Sequence, residues 1–360
     1  MNCAIDKHTT SNRPIFKFIK FKFKKNITFN FLFFSKVLKE KMLKSLFRSK
    51  TLLPSTNKVV VVTGCDQGFG KATALKLVDQ GYTVFAGCLN ALNSSNDDTY
   101  KKIQQTSGNR LQFLQMDVTS EQQCRDSVAK VGEWLGDNPN HGLCSVVANA
   151  GVAHMMESEL LSEKLIRNTF DVNYFGVFRT FHNFLPLLRE AKGKVENRSL
   201  VALSSYASVF PTIRIAYYAG SKAAVLQHAN CLRVELARFG IRVAVVCPDF
   251  YATDMVVNEN LARAKLEAIY KEGDENFMKA LNSYGGMEKH RKHVDKMLKV
   301  IGNSARTDIS PVIDSIVDAI ASSNPKHTYW PVNSRNRMYI ALRNLPPGLL
   351  QRLQAILMRS

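Results

Sequence analysis

The chain has 360 residues, 45% of them hydrophobic, so it can bury a sizeable core, and its formal net charge is +19. A surplus of 11 of these charges falls in the first 50 residues, and no DNA- or RNA-binding motif accompanies them, which argues against a nucleic-acid partner. The seven cysteines are odd in number and lack a CxxC spacing, which excludes a disulfide framework and favours buried thiols in a reducing compartment.

Residues 1–56 are predicted to form a basic leader. Residues 16–23 partly alternate Phe or Ile with Lys, and a Lys-rich helical pattern follows over 36–48. No uncharged apolar run approaches the ~20 residues that a membrane-spanning helix needs. A targeting segment, a membrane-surface segment, a disordered extension and an unused start before Met42 all remain open.

From residue 57 to about 325 the pattern predicts one α/β domain. Short apolar runs alternate with amphipathic helical patterns, which is typical of a parallel sheet covered by helices on both faces. The predicted strands are Val59–Val62, Thr83–Ala86, Leu111–Met116, Ser145–Ala148, Leu200–Leu203 and Val243–Val246. The predicted helices between them are Lys71–Gln80, Glu121–Leu135, Lys164–Arg189 and Ala219–Phe239.

After the sixth strand the chain becomes helical. The patterns at Asn258–Glu272 and Glu288–Val300 predict a helical substrate lid over about 254–305, and a further helix is predicted over 311–322. The spacing His290-x-x-His293 lies in a run of Lys and Arg that would repel a cation, so no metal site is predicted. Residues 326–360 carry six Lys or Arg and no acid, with apolar residues at helical spacing, and are predicted to form a basic amphipathic segment.

A glycine-rich turn follows the first strand. The sequence Thr63-Gly64-Cys65-Asp66-Gln67-Gly68-Phe69-Gly70 joins a strand to a helix start, where free backbone N–H groups can receive a pyrophosphate. We expect Gly64 to allow the tight turn, Gly68 to let the cofactor approach the backbone, and Gly70 to permit close packing of helix and strand.

The spacing of this turn, T-G-x-x-x-G-x-G, resembles that of the short-chain dehydrogenase family, and further landmarks follow in order. These are Asp117-Val118, Asn149-Ala150-Gly151, Asn173, Ser205, Tyr218-x-x-x-Lys222, Pro248 and Thr253. The resemblance covers residues 57–255 strongly. It implies a Rossmann-type doubly wound sheet, a nicotinamide cofactor and alcohol–carbonyl chemistry.

The resemblance also assigns the site residues. The turn residues Gly64, Asp66, Gly68, Phe69 and Gly70 would hold the cofactor, and Asp117 is similar to the residue that meets the adenine amino group. The other implied cofactor contacts are Val118, Asn149, Ala150, Gly151, Tyr218, Lys222, Pro248 and Thr253. The segment after the second strand, 86–90, carries no acid for the ribose and no Arg or Lys for a 2′-phosphate, while Asp66 adds a negative charge. We therefore expect NAD(H) rather than NADP(H).

Four residues are expected to carry the chemistry. Tyr218 and Lys222 are four apart and share a helix face. A free phenol is a weak base at neutral pH, but a nearby ammonium and the positive nicotinamide ring should lower its pKa, so that Tyr218 can exchange the alcohol proton. Ser205 would hydrogen-bond the substrate oxygen, and Asn173 resembles the residue that holds a proton-relay water. Tyr217 and Ser204 are the neighbouring competitors for these roles.

The sequence departs from the family pattern at several positions. Asp249 and Ser208 stand where Gly is common, Ala148 stands where a second Asn is common, and residues 194–199 resemble a short insertion. Asp249 is the departure that matters most, because it could bring a carboxylate to the nicotinamide side. A catalytically weak nucleotide-binding or scaffold protein therefore stays open beside the enzyme.

The sequences of Val62–Gly70, Val84–Leu89 and Phe184–Arg189 resemble those of the branch that contains retinol, 17β-hydroxysteroid and D-3-hydroxybutyrate dehydrogenases. This implies a retinoid, steroid or similar alcohol as substrate, with D-3-hydroxybutyrate as the alternative, for which His154 and Arg214 are candidate carboxylate contacts. Members of the branch are often membrane-associated, so an intracellular protein at a mitochondrial or endoplasmic reticulum membrane is expected. The resemblance also implies a homo-oligomer.

Overall fold

The computed structural model describes residues 16–22, 28–34, 52–53, 55–253, 255, 258–342 and 348, and it divides the chain into the compact units Met1–Thr51 and Leu52–Ser360. In the first unit, strands β1 (Phe16–Lys22) and β2 (Thr28–Phe34) pair antiparallel. The rest of the predicted leader up to 51, and the apolar residues of the predicted C-terminal amphipathic segment from 345 onward, lie outside the described residues.

The second unit is built on a seven-stranded sheet in which every pairing is parallel. Its strands are β3 (Lys58–Thr63), β4 (Thr83–Cys88), β5 (Leu111–Gln115), β6 (Gly142–Ala148), β7 (Arg198–Leu203), β8 (Ile241–Val246) and β9 (Thr328–Tyr329). The order β5-β4-β3-β6-β7-β8-β9 reverses direction between β3 and β6. Ligands of doubly wound sheets bind at such a switch point, outside the carboxyl ends of the strands.

Helices connect these strands. They are α1 (Gly68–Asp79), α2 (Ala91–Ser95), α3 (Asp98–Ser107), α4 (Glu121–Asp137), α5 (Glu163–Phe170), α6 (Gly176–Glu190), α7 (Ala216–Leu236), α8 (Glu259–Glu272), α9 (Glu275–Ser283), α10 (Gly286–Ser304), α11 (Ser310–Ala321) and α12 (Ser334–Leu342). Among the described residues, no helix combines the length and the apolar character that crossing a membrane requires.

The sheet is buried on both faces. All six residues of β3 are buried, and successive residues of this strand belong to different apolar clusters, Val60 and Val62 on one face and Val59 and Val61 on the other. Continuous β-branched runs without polar alternation are the expected sequence of such a strand. The predicted α/β fold with a doubly wound parallel sheet is therefore confirmed, and all six predicted strands are present.

Two predicted features of the helices differ from the structure. The predicted helix Lys164–Arg189 is interrupted by a π-helical turn at Asp171–Phe175, where the Gly176 N–H donates to the carbonyl of Asp171, five residues back. The segment 91–107, to which no element was assigned, forms α2 and α3. Both differences come from local hydrogen bonding that apolar periodicity does not report.

The predicted lid has its own small core. Helices α8, α9 and α10 bury Leu266, Ile269, Leu281, Val294 and Leu298 against one another. The same cluster includes residues that follow β6, namely Met156 and Leu160. The lid helices are thus anchored to the segment that leaves the switch point, which places them over the carboxyl ends of the strands.

Candidate active site

The glycine turn is held tightly at the switch point. Gly64 has φ +69°, and a Cβ there would lie 2.9 Å from the Cα of Ala150. At Gly70 a Cβ would lie 2.1 Å from the carbonyl oxygen of Gly64, a contact that no side chain can make. Gly68 has φ +59° and faces the side chain of Thr253 at 3.6 Å. The turn therefore lies close to the backbone after β6, and α1 begins at Gly68 with its first N–H groups available.

Thr63 and Asn149 connect the two strands that flank the switch point. The Thr63 hydroxyl accepts from the backbone N–H groups of Asn149 and Ala150 at 3.0 and 3.1 Å. The Asn149 amide donates to the carbonyls of Thr63 and Gly64 at 2.9 and 3.1 Å. These hydrogen bonds fix the loop after β6 against the turn after β3. Asn149 therefore contributes to the site by holding the glycine turn in place.

The carboxylate of Asp66 lies at the carboxyl end of β4. It accepts hydrogen bonds from the backbone N–H groups of Leu89 and Asn90 at 2.9 and 3.0 Å, and from the Ser94 hydroxyl at 3.3 Å. The segment after the second strand has no acidic residue of its own, and Asp66 of the glycine turn brings a carboxylate to this place instead. Because this placement depends on the pairing of β3 with β4, the sequence alone indicated only a nearby negative charge.

One large cavity, of about 640 Å³, lies along the carboxyl ends of the strands. Its volume is within the range of cofactor sites, roughly 300–1,000 Å³. Of the residues predicted to contact the cofactor or to react, it is lined by Gly64, Asp66, Gly68, Phe69, Asp117, Val118, Asn149, Ala150, Gly151, Ser205, Tyr218, Lys222, Pro248 and Thr253. Gly70 and Asn173 lie behind this lining. The side chain of Asp117 accepts from the N–H and the hydroxyl of Thr119, both at 2.8 Å.

Tyr218, Lys222 and Ser205 meet at one end of this cavity. Tyr218 and Lys222 lie one turn apart near the start of α7, and Ser205 follows β7. Ser205 lies near enough to the Tyr218 hydroxyl to lower its pKa as a hydrogen-bond donor would. The Lys222 ammonium lies 5.9 Å from the centre of the Tyr218 ring and donates to the carbonyl of Leu203 at 2.9 Å. The buried Lys222 and the half-buried Ser205 and Tyr218 thus converge on one end of the cavity.

Burial dominates the titration of the tyrosine and the lysine. It raises the pKa of Tyr218 above its ordinary value of 10.0, while the hydrogen bond from Ser205 acts in the opposite direction. It lowers the pKa of Lys222 from 10.5 to about 8. The amine therefore remains mostly an ammonium at neutral pH. The expected lowering of the tyrosine pKa depended on the lysine together with the positive nicotinamide ring, and among the protein's own groups burial has the larger effect, in the opposite direction.

Asn173 is fully buried in the π-helical turn. Its amide oxygen accepts from the Val152 N–H at 2.8 Å, and its amide nitrogen donates to the Val152 carbonyl at 2.9 Å and to the Ser221 hydroxyl at 3.0 Å. A Cβ on Gly151 would lie 3.2 Å from Asn173 and 3.3 Å from the Lys222 ammonium nitrogen. Asn173 therefore links the loop after β6 to α7, beside Lys222, and its role toward a relay water stays a prediction.

The neighbouring competitors point elsewhere. Ser204 also lines the large cavity, but its buried hydroxyl donates to the carbonyl of Lys222 at 2.7 Å, while Tyr217 lines neither this cavity nor the apolar pocket beside Tyr218. Ser208, at the position where Gly is common, donates its hydroxyl to the carbonyl of Ser205 at 2.6 Å. That bond closes the turn after Ser205, so this departure from the family pattern has a structural use.

Asp249 lines the cavity, but its carboxylate is engaged. It accepts from the side-chain amide of Asn336 at 2.6 Å and from the backbone N–H groups of Phe250 and Asn333. Asn333 and Asn336 lie at the start of α12. The carboxylate thus fastens the C-terminal helix to the loop after β8, which accounts for an acid at this position without assigning it a part in the chemistry.

A smaller apolar pocket, of about 70 Å³, adjoins the large cavity. Ser205, Tyr218, Pro248, Asp249 and Met255 line both spaces. The remaining lining residues are Ala153, Met155, Tyr206, Ala207, Thr212, Ile215 and Phe250. A substrate in this pocket would present its reacting group to Tyr218 and Ser205 and would be surrounded mainly by apolar side chains.

Arg214 is not placed to receive a substrate carboxylate. It forms an ion pair with Glu157 at 2.6 Å, in which both side chains are largely buried, and it lines neither the large cavity nor the apolar pocket beside Tyr218. Glu157 also bonds the His290 ring at 2.9 Å, and the other ring nitrogen of His290 bonds the Tyr270 hydroxyl at 2.6 Å. The sequence interpretation of Arg214 is therefore replaced by a structural one, in which it fixes the lid. No group of side chains suited to a metal occurs among the residues described.

The chain matches the short chain dehydrogenase family over residues 58–264. It is 36% identical over 280 residues to rat estradiol 17-beta-dehydrogenase 2, a match that spans 77% of this chain and 69% of the relative. It is 31% identical over 280 residues to the rat mitochondrial D-beta-hydroxybutyrate dehydrogenase, spanning 78% of each. A solved short chain dehydrogenase/reductase from Burkholderia phymatum, in complex with NAD, has a similar fold, with a TM-score of 0.63, 19% identity, and coverage of 82% of this chain and 96% of that one.

Proposed function

Because this chain belongs to the short-chain dehydrogenase family, we propose that it interconverts a secondary or lipophilic alcohol, of the retinoid or steroid class, and its carbonyl compound with NAD(H). The predicted enzyme class, an oxidoreductase of this family, is confirmed by the family match and by the hydroxysteroid and hydroxybutyrate dehydrogenases among its relatives. One observation carries the substrate proposal. Tyr218 and Ser205 line both the large cavity at the switch point and the adjoining apolar pocket.

The large cavity fits a dinucleotide. Gly64 and Gly70 pack the turn tightly against the protein's own backbone, and Gly68 lines the cavity without a side chain, so a pyrophosphate could approach the backbone there. The Asp66 carboxylate, at the end of β4, would accept from the adenosine ribose hydroxyls, and Lys222 would hold the nicotinamide ribose. When bound, NAD supplies the hydride acceptor or donor. Ser205 and Tyr218 are left to act on the alcohol oxygen.

The proton follows from the same arrangement. Ser205 would hydrogen-bond the substrate oxygen, while Tyr218 takes the hydroxyl proton in oxidation and returns it in reduction. Since burial raises its pKa, Tyr218 needs a positive charge on each side for the phenolate to form: the Lys222 ammonium and the charge that oxidised NAD carries. Asn173 would connect Lys222 to solvent through a water.

The cofactor preference depends on Asp66. Asp66→Asn should raise kcat/KM for NADP⁺ relative to NAD⁺ by about ten-fold, because a unit charge facing a 2′-phosphate costs on the order of 1–3 kcal/mol at an effective dielectric constant near 20. The asparagine can still accept one of the backbone hydrogen bonds that Asp66 receives. Asp98→Ala, at an exposed carboxylate in the first turn of α3, is the control and should leave the ratio unchanged. An unaltered ratio in Asp66→Asn would contradict this role.

The substrate class is tested by following NADH formation from NAD⁺ with retinol, estradiol and D-3-hydroxybutyrate. We expect turnover of a lipophilic alcohol, because the pocket beside Tyr218 is mainly apolar. Turnover of 3-hydroxybutyrate alone would support the alternative activity. Binding of NADH without turnover of any substrate would favour a nucleotide-binding or scaffold protein.

The basic ends and the surface support two further parts of the proposal. The charge surplus in the first 50 residues and the six cations after residue 325 favour contact with an anionic membrane surface, inside the cell at mitochondria or the endoplasmic reticulum.

Exposed apolar side chains near α6 and on α7, namely Phe175, Phe178 and Val234, favour a homo-oligomer.

A further inference from the structure

We propose that Lys265 and His154 form a second polar subsite under the lid, which binds an anionic oxygen group, a carboxylate or a sulfate, at the end of the substrate remote from the reacting carbon. This inference rests on the proposed function, since it describes the substrate of the same site. It narrows that substrate to an amphipathic alcohol that carries a negative charge away from its hydroxyl.

The two side chains line one recess. It has a volume of about 30 Å³ and is bounded by the segment after β6 and by α8 and α10. Both ring nitrogens of His154 are buried and make no hydrogen bond of ordinary geometry to the described residues, although Asn168 lies near enough to favour the protonated ring. Lys265, on α8, lies near enough to lower the pKa of His154, an effect that adds to the larger one of burial. A buried ring nitrogen without a well-formed hydrogen bond costs free energy unless a ligand group or a water satisfies it.

Lys265 differs from the other cations around it. Arg263, on the same helix, pairs with Asp295 and Glu259, and Arg214 pairs with Glu157. For Lys265, no carboxylate partner is found within the described part of the chain, and burial lowers its pKa. The half-buried Lys265 ammonium presents donors only, and the neutral His154 ring can add one N–H beside it, so the complementary group is an anionic oxygen.

The recess is close to the reacting end of the site. Met255 borders the recess, the apolar pocket and the large cavity, while Ala153 and Met155 border both the recess and the apolar pocket. Methionine side chains adapt readily to the shape of a ligand, so the two spaces can become continuous around a bound chain. A substrate could then span from Tyr218, through an apolar stretch, to Lys265.

The experiment compares acids with their neutral esters. Secondary hydroxy fatty acids that differ in the distance between hydroxyl and carboxylate are each paired with the methyl ester, and estradiol 3-sulfate is paired with estradiol. kcat/KM with NAD⁺ is measured for each pair. At the matching length, the wild-type protein should prefer the anion by about ten-fold or more, the effect of one charge-assisted hydrogen bond. A preference within the fatty-acid series assigns the subsite to a carboxylate, and one within the steroid pair assigns it to a sulfate.

Three variants complete the test. Lys265→Met should abolish the preference while leaving kcat/KM for the neutral partner unchanged, and Lys265→Arg should retain the preference. Lys271→Met removes an exposed lysine from the same helix and should behave as wild type. An anion-to-neutral ratio near one in the wild type, or an equal ratio in Lys265→Met, would overturn the subsite while turnover of the neutral alcohols still supports the proposed function. Absence of turnover with every pair would overturn both.

Discussion

Tyr218→Phe should lower kcat for alcohol oxidation by about 10²- to 10⁴-fold, the range that a positioned proton-transfer group contributes. The substitution removes one hydroxyl from a ring whose position is set by α7, so the fold should be retained. The lost oxygen lies beside Ser205, on a residue that lines both the large cavity and the apolar pocket. NADH affinity, measured by fluorescence titration, should stay close to that of the wild type, which separates loss of chemistry from loss of binding.

Tyr217→Phe is the matched control for this variant. It makes the same chemical change one residue earlier on the same helix, at a residue that lines neither the large cavity nor the apolar pocket. Its kcat should equal that of the wild type. If Tyr218→Phe kept full activity, or if both variants lost activity equally, the phenol of Tyr218 would not be the group that exchanges the proton.

The fold could be predicted from the sequence because its signals are local. Strands buried on both faces, such as β3, require continuous apolar runs, and a parallel sheet follows when helices alternate with them. The π-helical turn at Asp171–Phe175 escaped prediction, since one extra residue in a helical turn leaves the amphipathic pattern on either side nearly unchanged.

The candidate site was predictable in composition but not in its contacts. Tyr218 and Lys222 are four residues apart, so their common helix face follows from the sequence alone. Asp249 and Asn336, by contrast, are 87 residues apart, and Arg214 and Glu157 are 57 apart. Each charged residue admitted a functional interpretation until its partner was known. Lys265 is the opposite case, because its functional interpretation depends on the lack of a carboxylate partner among the described residues.

Gly70→Ala should destabilise the protein by about 3 kcal/mol, the upper end of ordinary overpacking, or prevent soluble expression, and any folded fraction should lose NADH binding. The added Cβ would lie 2.1 Å from the carbonyl oxygen of Gly64 and 2.6 Å from the side-chain nitrogen of Asn149. Because the first of these is backbone and the second holds the loop after β6, relief requires the glycine turn to move away from the switch point. Urea unfolding and NADH fluorescence titration measure the two effects separately.

Gly136→Ala separates this contact from the general effect of removing a helical glycine. Gly136 lies in α4, and a Cβ there would meet nothing within 4 Å. Alanine is favoured over glycine inside helices by up to about 1 kcal/mol, so this control should be neutral or slightly more stable. A Gly70→Ala protein with the stability and NADH affinity of the wild type would mean that the turn after β3 is not packed as described, and that the pyrophosphate lies elsewhere. If Gly70→Ala instead loses both stability and NADH affinity, then the packing of the turn after β3 and the binding of the nucleotide depend on the same close contact at Gly70.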